Sequence, residues 1–448
     1  MSRPVAAVVL AAGLGTRMNS DLHKVLHPIA GRPMLMHLLA SVDALVPAAK
    51  VVVVGARREQ VEAAVAGSGA TVVTQEPQLG TGHAVMQARD ALAGFDGDVL
   101  LMFADVPLIR TATMRAMLAA LTDDVACVVL AFRPADPGAY GRIVAKDDGT
   151  IVKMVEFKDA SAEERNVTLC NSGLLAVRAG DLWPLIDRIG NDNAAGEYYL
   201  PDVVTVATGD GRRSVVVETQ ADEVDGINSR GELAAVEAKW QAAKRVEMMA
   251  AGVTLSDPAT VWFAHDTQVG RDVVIEPSVF FGPGVTIDDG AVIHGFCHLE
   301  GAHIGPRAEV GPYARLRPGA DLGEKSKVGN FVEVKKAKLG KGAKANHLSY
   351  LGDAEIGANA NIGAGTITCN YDGFFKYRTV IGEGSFIGSN SALVAPVTIG
   401  AGAIVAAGST VTTNVPGDAL CLVRSEQVNK PGWAAKFRAV MTAKKRDA

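Results

Sequence analysis

The sequence predicts an α/β unit over residues 1–228, a connecting helix over residues 229–251, and an all-β unit over residues 252–448 that forms a left-handed parallel β-helix. Three observations lead to this prediction. Apolar runs alternate with amphipathic segments in the first half, and aliphatic residues recur every six positions after Gly252. Glycine contributes 48 of the 448 residues, most of them in the second half.

The first half alternates between strand and helix patterns. Residues 5–11 are apolar throughout, and "KVVVVGA", "ATVVTQ" and "GDVLLMFAD" have the same character. Helices are predicted from Pro33 onward and at "REQVEAAVAG" and "GHAVMQARDALAG". Alternation at this spacing predicts a parallel sheet covered by helices on both faces, with ligands bound outside the carboxyl ends of its strands.

Two chemical signals follow the carboxyl ends of predicted strands. A glycine turn, Gly13 to Arg17, follows the first strand, and Asp105 follows the fourth. Glycines let backbone N–H groups approach phosphate oxygens, and Arg17 and Lys24 supply positive charge. A carboxylate can hold Mg²⁺ beside a bound phosphate, although Asp105 alone also fits a helix cap or a turn. The combination indicates nucleotidyl transfer from a triphosphate rather than hydride transfer, since Met18 stands where a dinucleotide motif needs its third glycine.

The segment after residue 228 carries helix signals. Ser229 and Glu232 have the spacing of a capping box, and Gly252 suits the position just past the helix end. The segment follows the α/β unit directly, so we interpret it as a connector.

The second half is a hexapeptide repeat. Its aliphatic positions are each six residues apart over the first stretch, with occasional steps of five further on: Val269, Ile275, Phe281, Ile287, Ile293 and Leu299. Three such repeats form one triangular coil of a parallel β-helix, whose aliphatic residues point inward. The period indicates a fold and little about function, because a prism of this kind can be a scaffold.

The period breaks once in a way that indicates function. Thr368 to Ile381 spans thirteen residues, one more than two repeats, and contains "CNYDGFFKYRT". An extra polar and aromatic segment on a solenoid is typical of a functional loop. His347 precedes it in "KANHLSYLG", where it fits a solvated surface side chain as well as a catalytic base.

Composition excludes several classes of partner and site. The net charge of −5 argues against nucleic acid or an anionic membrane as the main partner. The five cysteines are scattered without a C-x-x-C pair, which predicts a reducing cytoplasm. The apolar opening also fits a secretory signal, but the residues after it continue strand-turn chemistry.

The N-terminal motifs resemble a known family. "LAAGLGTRMNSDLHKVLHPIAGRPM", "QEPQLGTGHAV", "DVPL", "YGRIV", "NSGLL" and "VDGINSR" are similar, in order, to the uridyltransferase domain of the bacterial bifunctional N-acetylglucosamine-1-phosphate uridyltransferase/glucosamine-1-phosphate acetyltransferases. The resemblance implies a Rossmann-like nucleotidyltransferase fold, UTP and N-acetylglucosamine-1-phosphate as substrates, and Mg²⁺.

The resemblance also implies roles for matching positions. Arg17 and Lys24 would act on the triphosphate, with Asp105 and Asn228 as metal ligands. The nucleotide and amino-sugar positions are Leu10, Ala11, Ala12, Gly13, Gln75, Gly80, Thr81, Gly141, Glu156 and Asn171. Two positions depart from the family pattern, because Leu14 stands where lysine is frequent and Ala104 where glycine is common.

The C-terminal motifs resemble the acetyltransferase domain of the same family. "RLRPGADL", "VGNFVEVKKAKLGKGAKANHLSYLGDAEIGANANIGAGTITCNYDG" and "LVAPVTIGAGAIVAAGSTVT" are similar to that domain. The resemblance implies His347 as general base, acetyl-CoA and glucosamine-1-phosphate as substrates, and a homotrimer with shared sites. The implied sugar-phosphate ligands are Arg317, Lys335, Tyr350 and Asn361, and the implied acetyl-CoA ligands are Ala364, Asn370, Tyr371, Ser389, Ala407 and Arg424.

The leading hypothesis is therefore a two-step enzyme of UDP-N-acetylglucosamine synthesis. An alternative is a single-activity sugar-nucleotide pyrophosphorylase whose β-helix serves only assembly or regulation. A third reading, a scaffold that has lost both sites, conflicts with the retained Asp105, Lys24, His347 and Asn370.

Overall fold

The computed structural model describes residues 3–193 and 196–446. The chain divides into two compact units, residues 1–243 and 244–448. The division falls within a single long helix.

The first unit combines a nine-stranded sheet, a two-stranded ribbon and eight helices among its described residues, the last helix continuing into the second unit. The strands are β1 (Val5–Ala11), β2 (Pro28–Ile29), β3 (Arg32–Pro33), β4 (Ala49–Val54), β5 (Thr71–Thr74), β6 (Asp98–Phe103), β7 (Val125–Phe132), β8 (Arg142–Ala145), β9 (Ile151–Val155), β10 (Cys170–Arg178) and β11 (Arg213–Thr219). The helices are α1 (Met34–Asp43), α2 (Arg58–Val65), α3 (Thr81–Met86), α4 (Thr111–Ala120), α5 (Ala162–Arg165), α6 (Ala179–Ile186), α7 (Asp202–Gly209) and α8 (Arg230–Ala250).

The main sheet has the order β11-β7-β10-β6-β1-β4-β5. The four strands predicted from the sequence are β1, β4, β5 and β6, and they are parallel neighbours. The sheet as a whole is mixed, because β10 runs antiparallel to both β6 and β7. The prediction of a parallel sheet is therefore correct for the strands that carry the glycine turn and Asp105, and wrong at β8, β9 and β10, which pair antiparallel with one another or with their neighbours.

The core of this unit lies on both faces of the sheet, as predicted. Alternate residues of β1 enter opposite apolar clusters: Ala7 and Val9 face one, and Ala6 and Val8 face the other. This is the period of two that a strand imposes on its side chains. The segment predicted as one helix over "GHAVMQARDALAG" is shorter than expected, since α3 ends at Met86 and a separate 3₁₀ turn follows at Asp90–Leu92.

Helix α8 begins at the predicted capping box. The Ser229 backbone N–H donates to Glu232 Oε2 at 2.9 Å, and the Glu232 N–H donates to Ser229 Oγ at 3.3 Å. Val236 of this helix belongs to a small buried cluster with Ile29 and Ile227. The first turns of α8 are therefore packed against the α/β unit.

The second unit is the predicted parallel β-helix. Its strands β12 to β35 are, in order, Thr254–Leu255, Gln268–Val269, Val274–Ile275, Phe280–Phe281, Thr286–Ile287, Val292–Ile293, His298–Leu299, Ala302–Ile304, Glu309–Val310, Arg315–Leu316, Ala320–Leu322, Lys327–Asn330, Glu333–Leu339, Lys344–His347, Tyr350–Ile356, Asn361–Ile362, Ile367–Cys369, Thr379–Ile381, Phe386–Ile387, Ala392–Val394, Val397–Ile399, Ile404–Val405, Thr410–Val411 and Leu420–Cys421. Helix α9 (Trp433–Arg446) follows.

Each strand pairs with the strand one coil further on. Ile275 lies beside Ile293, which is a coil of three hexapeptides, and Ile287 lies beside Ile304 where one step is five residues. The aliphatic positions are buried, as predicted. Among the helices of residues 3–193 and 196–446, none combines the length and apolarity that a membrane span requires.

The break in the period is larger than the sequence indicated. Ile356 pairs with Ile381 one coil on, a separation of 25 residues where coils outside this break have 16 to 18. The thirteen residues from Thr368 to Ile381 are thus not two strands and one extra residue. They connect the strands on two successive faces of the prism through an inserted loop that projects from it. Within this loop Tyr371 and Lys376 form an antiparallel bridge.

Candidate active sites

The glycine turn after β1 packs around Lys24. Gly15 has φ +61°, and a Cβ added there would lie 2.5 Å from Lys24 Cβ. Glycine is therefore required at position 15 for two reasons: its backbone is left-handed, and the Lys24 side chain packs too closely for a Cβ. Gly13 is different, because an added Cβ would meet nothing within 4 Å. Its side of the turn is open for a ligand to approach the backbone.

The turn forms one wall of a cavity of about 460 Å³. The cavity lies at the carboxyl ends of β1 and β6, where the sequence predicted a ligand. Its lining includes nine of the predicted site residues: Leu10, Ala11, Ala12, Gly13, Lys24, Gln75, Gly80, Thr81 and Asp105. Apolar Leu10 and Ala84 beside exposed backbone groups suit a nucleobase and its phosphates.

Lys24, Asp105 and Asn228 form a compact polar cluster at this cavity. Lys24 Nζ lies 2.5 Å from Asp105 Oδ2 and 3.0 Å from Asn228 Oδ1. The Ile227 N–H donates to the Asp105 backbone carbonyl at 3.0 Å, which fixes Asn228 beside the end of β6. Two hard oxygen atoms thus converge on a single positive charge. This donor set fits Mg²⁺, which binds to proteins through one or two oxygen ligands and completes its shell with phosphate and water.

Gln75 is held in one orientation. Its Nε2 donates to the Gly80 carbonyl at 2.9 Å, and the residue is 4% exposed. A carbonyl only accepts hydrogen bonds, so the atom facing Gly80 must be the amide nitrogen, and Oε1 remains available as an acceptor. An acceptor at this place suits the N3–H of uracil and opposes cytosine, whose N3 carries no proton.

The three predicted sugar ligands lie together in a second, smaller cavity. Gly141, Glu156 and Asn171 all line it, and the Asn171 N–H donates to the Gly141 carbonyl at 2.9 Å. A Cβ at Gly141 would lie 3.3 Å from Glu156 Oε1, so glycine leaves room beside the carboxylate. Burial, followed by the charges of Asp159 and Asp202, raises the pKa of Glu156.

Replacing Glu156 with glutamine should stabilise the protein at neutral pH and weaken sugar binding. A carboxyl group whose pKa is raised on folding destabilises the fold once the pH exceeds its ordinary value of 4.5, and that cost is absent below it. Glutamine cannot ionise, so Tm at pH 7 should exceed that of the unmodified protein, and the gap should close below pH 4.5. KM for the sugar phosphate should rise roughly 10- to 100-fold, the effect of losing a charged hydrogen bond of about 1.5–3 kcal/mol.

Glu163→Gln is the matched control, because Glu163 is an exposed glutamate on α5. It should change neither Tm nor KM. If the Tm of Glu156→Gln at pH 7 were equal to or below that of the unmodified protein at the same pH, Glu156 would not be a buried carboxylate with a raised pKa.

Arg17, Leu14 and Ala104 differ in their relation to the two cavities. Arg17 lies exposed on a 3₁₀ turn, Thr16–Met18, and is not among the residues that line either cavity. Leu14 is 59% exposed and lines the larger cavity without contributing a charge. Ala104 is buried, its N–H donates to Leu10 at 3.0 Å, and it is not among the described non-glycine residues with positive φ. The departure from glycine at Ala104 therefore needs no change in backbone conformation.

His347 is an exposed side chain at the end of β25. Its Nδ1 lies 2.6 Å from Asn330 Oδ1, which belongs to the preceding coil. The amide oxygen accepts, so Nδ1 donates to it, and in the neutral imidazole the lone pair then lies on Nε2. A neutral imidazole with a free Nε2 is the form that a general base needs. Sequence reasoning did not find Asn330, because its place beside His347 depends on the length of one coil.

A cluster of positive charge lies around Lys335 on the prism. The charges of Arg317 and then Lys376 lower the pKa of Lys335. Lys376 belongs to the inserted loop and was not among the predicted ligands. Tyr350 Oη and Asn370 Nδ2 both lie over Gly352, where an added Cβ would be 2.4 Å from the first and 2.7 Å from the second. Asn361 is a half-buried residue of β27.

Four of the six predicted acetyl-CoA positions, Ala364, Ser389, Ala407 and Arg424, are stacked along one corner of the prism. Backbone hydrogen bonds join the successive coils there: Asn390 to Ala364 at 2.7 Å, and Gly408 to Ser389 at 2.8 Å. Arg424 donates to the Ala407 carbonyl at 2.8 Å. This column of residues extends from the coil after His347 to the end of the β-helix, a length suited to an extended ligand. Tyr371 lies apart from it on the inserted loop and is 60% exposed.

Comparison with known proteins gives matches in both units. The model of the MobA-like NTP transferase domain matches residues 7–150, and that of the bacterial transferase hexapeptide (six repeats) matches residues 378–413. Three curated proteins, each named "Bifunctional protein GlmU", are similar over nearly the whole chain. That of Sphingopyxis alaskensis is 66% identical over 447 residues, covering 99% of each chain. That of Rhizorhabdus wittichii is 67% identical, covering 99% of this chain and 98% of its own, and that of Zymomonas mobilis is 59% identical, covering 97% and 98%.

Proposed function

Since the chain belongs to the family of bifunctional GlmU proteins, we propose that its two units catalyse successive steps of UDP-N-acetylglucosamine synthesis. The β-helix transfers the acetyl group of acetyl-CoA to glucosamine-1-phosphate. The α/β unit then transfers UMP from UTP to N-acetylglucosamine-1-phosphate and releases pyrophosphate. The observation that carries this proposal is the presence, in one chain, of two separate polar constellations centred on Asp105 and on His347.

In the acetyl transfer, the sugar amine attacks the thioester carbonyl carbon, and the thiolate of CoA leaves. His347 Nε2 takes the proton that the amine loses, and Asn330 keeps the imidazole in the required tautomer. Arg317, Lys335 and Lys376 would hold the sugar phosphate, because clustered cations match its charge. The column from Ala364 to Arg424 would bind acetyl-CoA.

In the uridyl transfer, a phosphate oxygen of the sugar attacks the α-phosphorus of UTP, and pyrophosphate leaves. Gln75 and the backbone at Gly80 orient the base, while Lys24 and Arg17 attract the triphosphate. Asp105 and Asn228 would hold Mg²⁺, which supplies charge stabilisation to the phosphates when bound. Gly141, Glu156 and Asn171 hold the acetamido sugar.

The single-activity alternative has less support. A β-helix used only for assembly would need neither a histidine whose Nδ1 is held by Asn330 nor a cluster of three cations around Lys335. Two separate assays distinguish the readings. CoA release from acetyl-CoA and glucosamine-1-phosphate, without UTP, requires only the β-helix site, whereas pyrophosphate release from UTP requires only the α/β site. Absence of the first activity from an active pyrophosphorylase would favour the alternative.

We also propose a homotrimer of cytoplasmic location whose acetyltransferase sites are completed by neighbouring subunits. The five cysteines are free thiols, which supports a reducing compartment. An aromatic ladder, Phe296, Tyr313 and Phe331, has ring centroids 4.9 Å and 5.3 Å apart on the same corner as His347. Its rings are 48–57% exposed in the single chain. An exposed apolar row of this kind beside a site is typical of an interface.

Charging the aromatic ladder should separate the two activities. Tyr313 and Phe331 have φ of +57° and +56°, a region that aspartate tolerates, so the double variant Tyr313→Asp/Phe331→Asp should fold. We expect it to be monomeric by light scattering, to retain uridyl transfer, and to lose at least roughly tenfold of its acetyl transfer because buried charges oppose association.

Val46→Asp is the matched control: Val46 is 87% exposed, has φ +55°, and lies in the α/β unit. It should leave mass and both activities unchanged. A folded monomer that acetylates glucosamine-1-phosphate at the normal rate would refute the shared site.

A further inference from the structure

Lys24 lies where a divalent cation would bind. Its Nζ contacts Asp105 Oδ2 at 2.5 Å and Asn228 Oδ1 at 3.0 Å, and the two charged side chains are only 11% and 22% exposed. These are the oxygen atoms that fit Mg²⁺. The ammonium group and the metal ion would therefore compete for the same two ligands.

We propose that Lys24 excludes the divalent cation from the Asp105–Asn228 pair in the nucleotide-free protein, and that the triphosphate releases this block by attracting the ammonium group. The inference rests on the proposed uridyltransferase function and adds an order of binding to it. Metal binds with or after the nucleotide, and not before it.

Charge and distance are the reasons for the exclusion. Mg²⁺ binds oxygen at about 2.0–2.1 Å, so a metal ion on Asp105 Oδ2 would stand within a few ångströms of Nζ. The ligand pair carries one formal negative charge, which the ammonium group already neutralises in a partly buried place. A second and larger positive charge would have to share that carboxylate with the ammonium group, and the repulsion between the two cations is weakly screened.

A triphosphate changes this balance. Lys24 and Gly13 line the same cavity, so phosphate oxygens at the glycine turn come within reach of the lysine. The lysine stem is packed against Gly15, but its outer bonds can rotate and carry Nζ from the carboxylate to the phosphates. The two oxygens then become free, and the phosphates supply further ligands to the metal. By linkage, the metal strengthens nucleotide binding by the same factor.

The test measures Mn²⁺ binding to the nucleotide-free full-length protein by electron paramagnetic resonance. Lys24→Met keeps the packed stem and removes only the ammonium group. Its Kd for Mn²⁺ should be roughly 10- to 100-fold lower than that of the unmodified protein, within the usual range of coupling between sites. Mn²⁺ should also raise the Tm of Lys24→Met more than that of the unmodified protein, because only binding to the folded state stabilises it.

Lys50→Met is the matched control. The Lys50 side chain is also 11% exposed and is paired with Asp43, but it does not line the cavity. It should leave Mn²⁺ affinity unchanged, and adding Asp105→Asn to Lys24→Met should remove the gain. Equal or weaker Mn²⁺ binding by Lys24→Met would overturn the inference. Uridyl transfer is assayed separately on the unmodified protein. If it occurs, the proposed function stands even when the Mn²⁺ titration overturns this inference. If it does not occur, the proposed uridyltransferase function is refuted whatever the Mn²⁺ titration gives.

Discussion

Replacing His347 with alanine is expected to lower the rate of acetyl transfer by about 10² or more, the loss typical of a missing general base. The amine of the sugar attacks only after giving up a proton, and His347 Nε2 is the base that the Asn330 contact at 2.6 Å leaves free. Uridyl transfer from supplied N-acetylglucosamine-1-phosphate should persist, because all its proposed residues lie in the other unit.

The control for this variant is His298→Ala. His298 is an exposed imidazole of the same prism, stacked on Phe280 with ring centroids 4.8 Å apart. Its loss should leave CoA release unchanged at neutral pH. A His347→Ala protein that acetylates at nearly the normal rate would mean that His347 is a solvated surface residue.

Replacing Asp105 with asparagine should produce the opposite pattern. Uridyl transfer should fall by about 10² or more, since one preorganised electrostatic contact to the reacting phosphates is lost. CoA release should stay near normal. Both rates are measured on one sample, as pyrophosphate from UTP and as free thiol from acetyl-CoA.

Asp98→Asn is a close control for this variant, because Asp98 begins the strand that Asp105 follows. It pairs with Arg3 at 2.8 Å and lies at the opposite end of β6. Its replacement can lower stability but should leave both turnover rates intact. Equal loss of both activities in Asp105→Asn would show that Asp105 supports the fold rather than the reaction.

The features predictable from the sequence were those with a local cause. Alternating apolar runs predicted β1, β4, β5 and β6, and the period of six predicted the inward residues of the prism. The antiparallel strand β10 was not predicted, because antiparallel pairing with β6 and β7 is set by tertiary contacts rather than by its own residues.

Some residues of the candidate sites could likewise be predicted from local sequence, and others could not. Gly13 and Asp105 could be found from their places after strands, and Asn228 only from the family resemblance, because it lies 204 residues from Lys24 in the chain. Asn330 and Lys376 needed the structure. The first depends on the length of one coil, and the second on how the inserted loop folds back.

One measurement tests the claim that a single chain performs both reactions. The purified protein is incubated with glucosamine-1-phosphate, acetyl-CoA, UTP and Mg²⁺, and nucleotide sugars are separated and identified by mass. UDP-N-acetylglucosamine should form in the complete mixture and should vanish when any one of the four components is omitted. Supplied N-acetylglucosamine-1-phosphate should make glucosamine-1-phosphate and acetyl-CoA unnecessary, but not UTP or Mg²⁺. Formation of a nucleotide sugar only when N-acetylglucosamine-1-phosphate is supplied would contradict the two-step account.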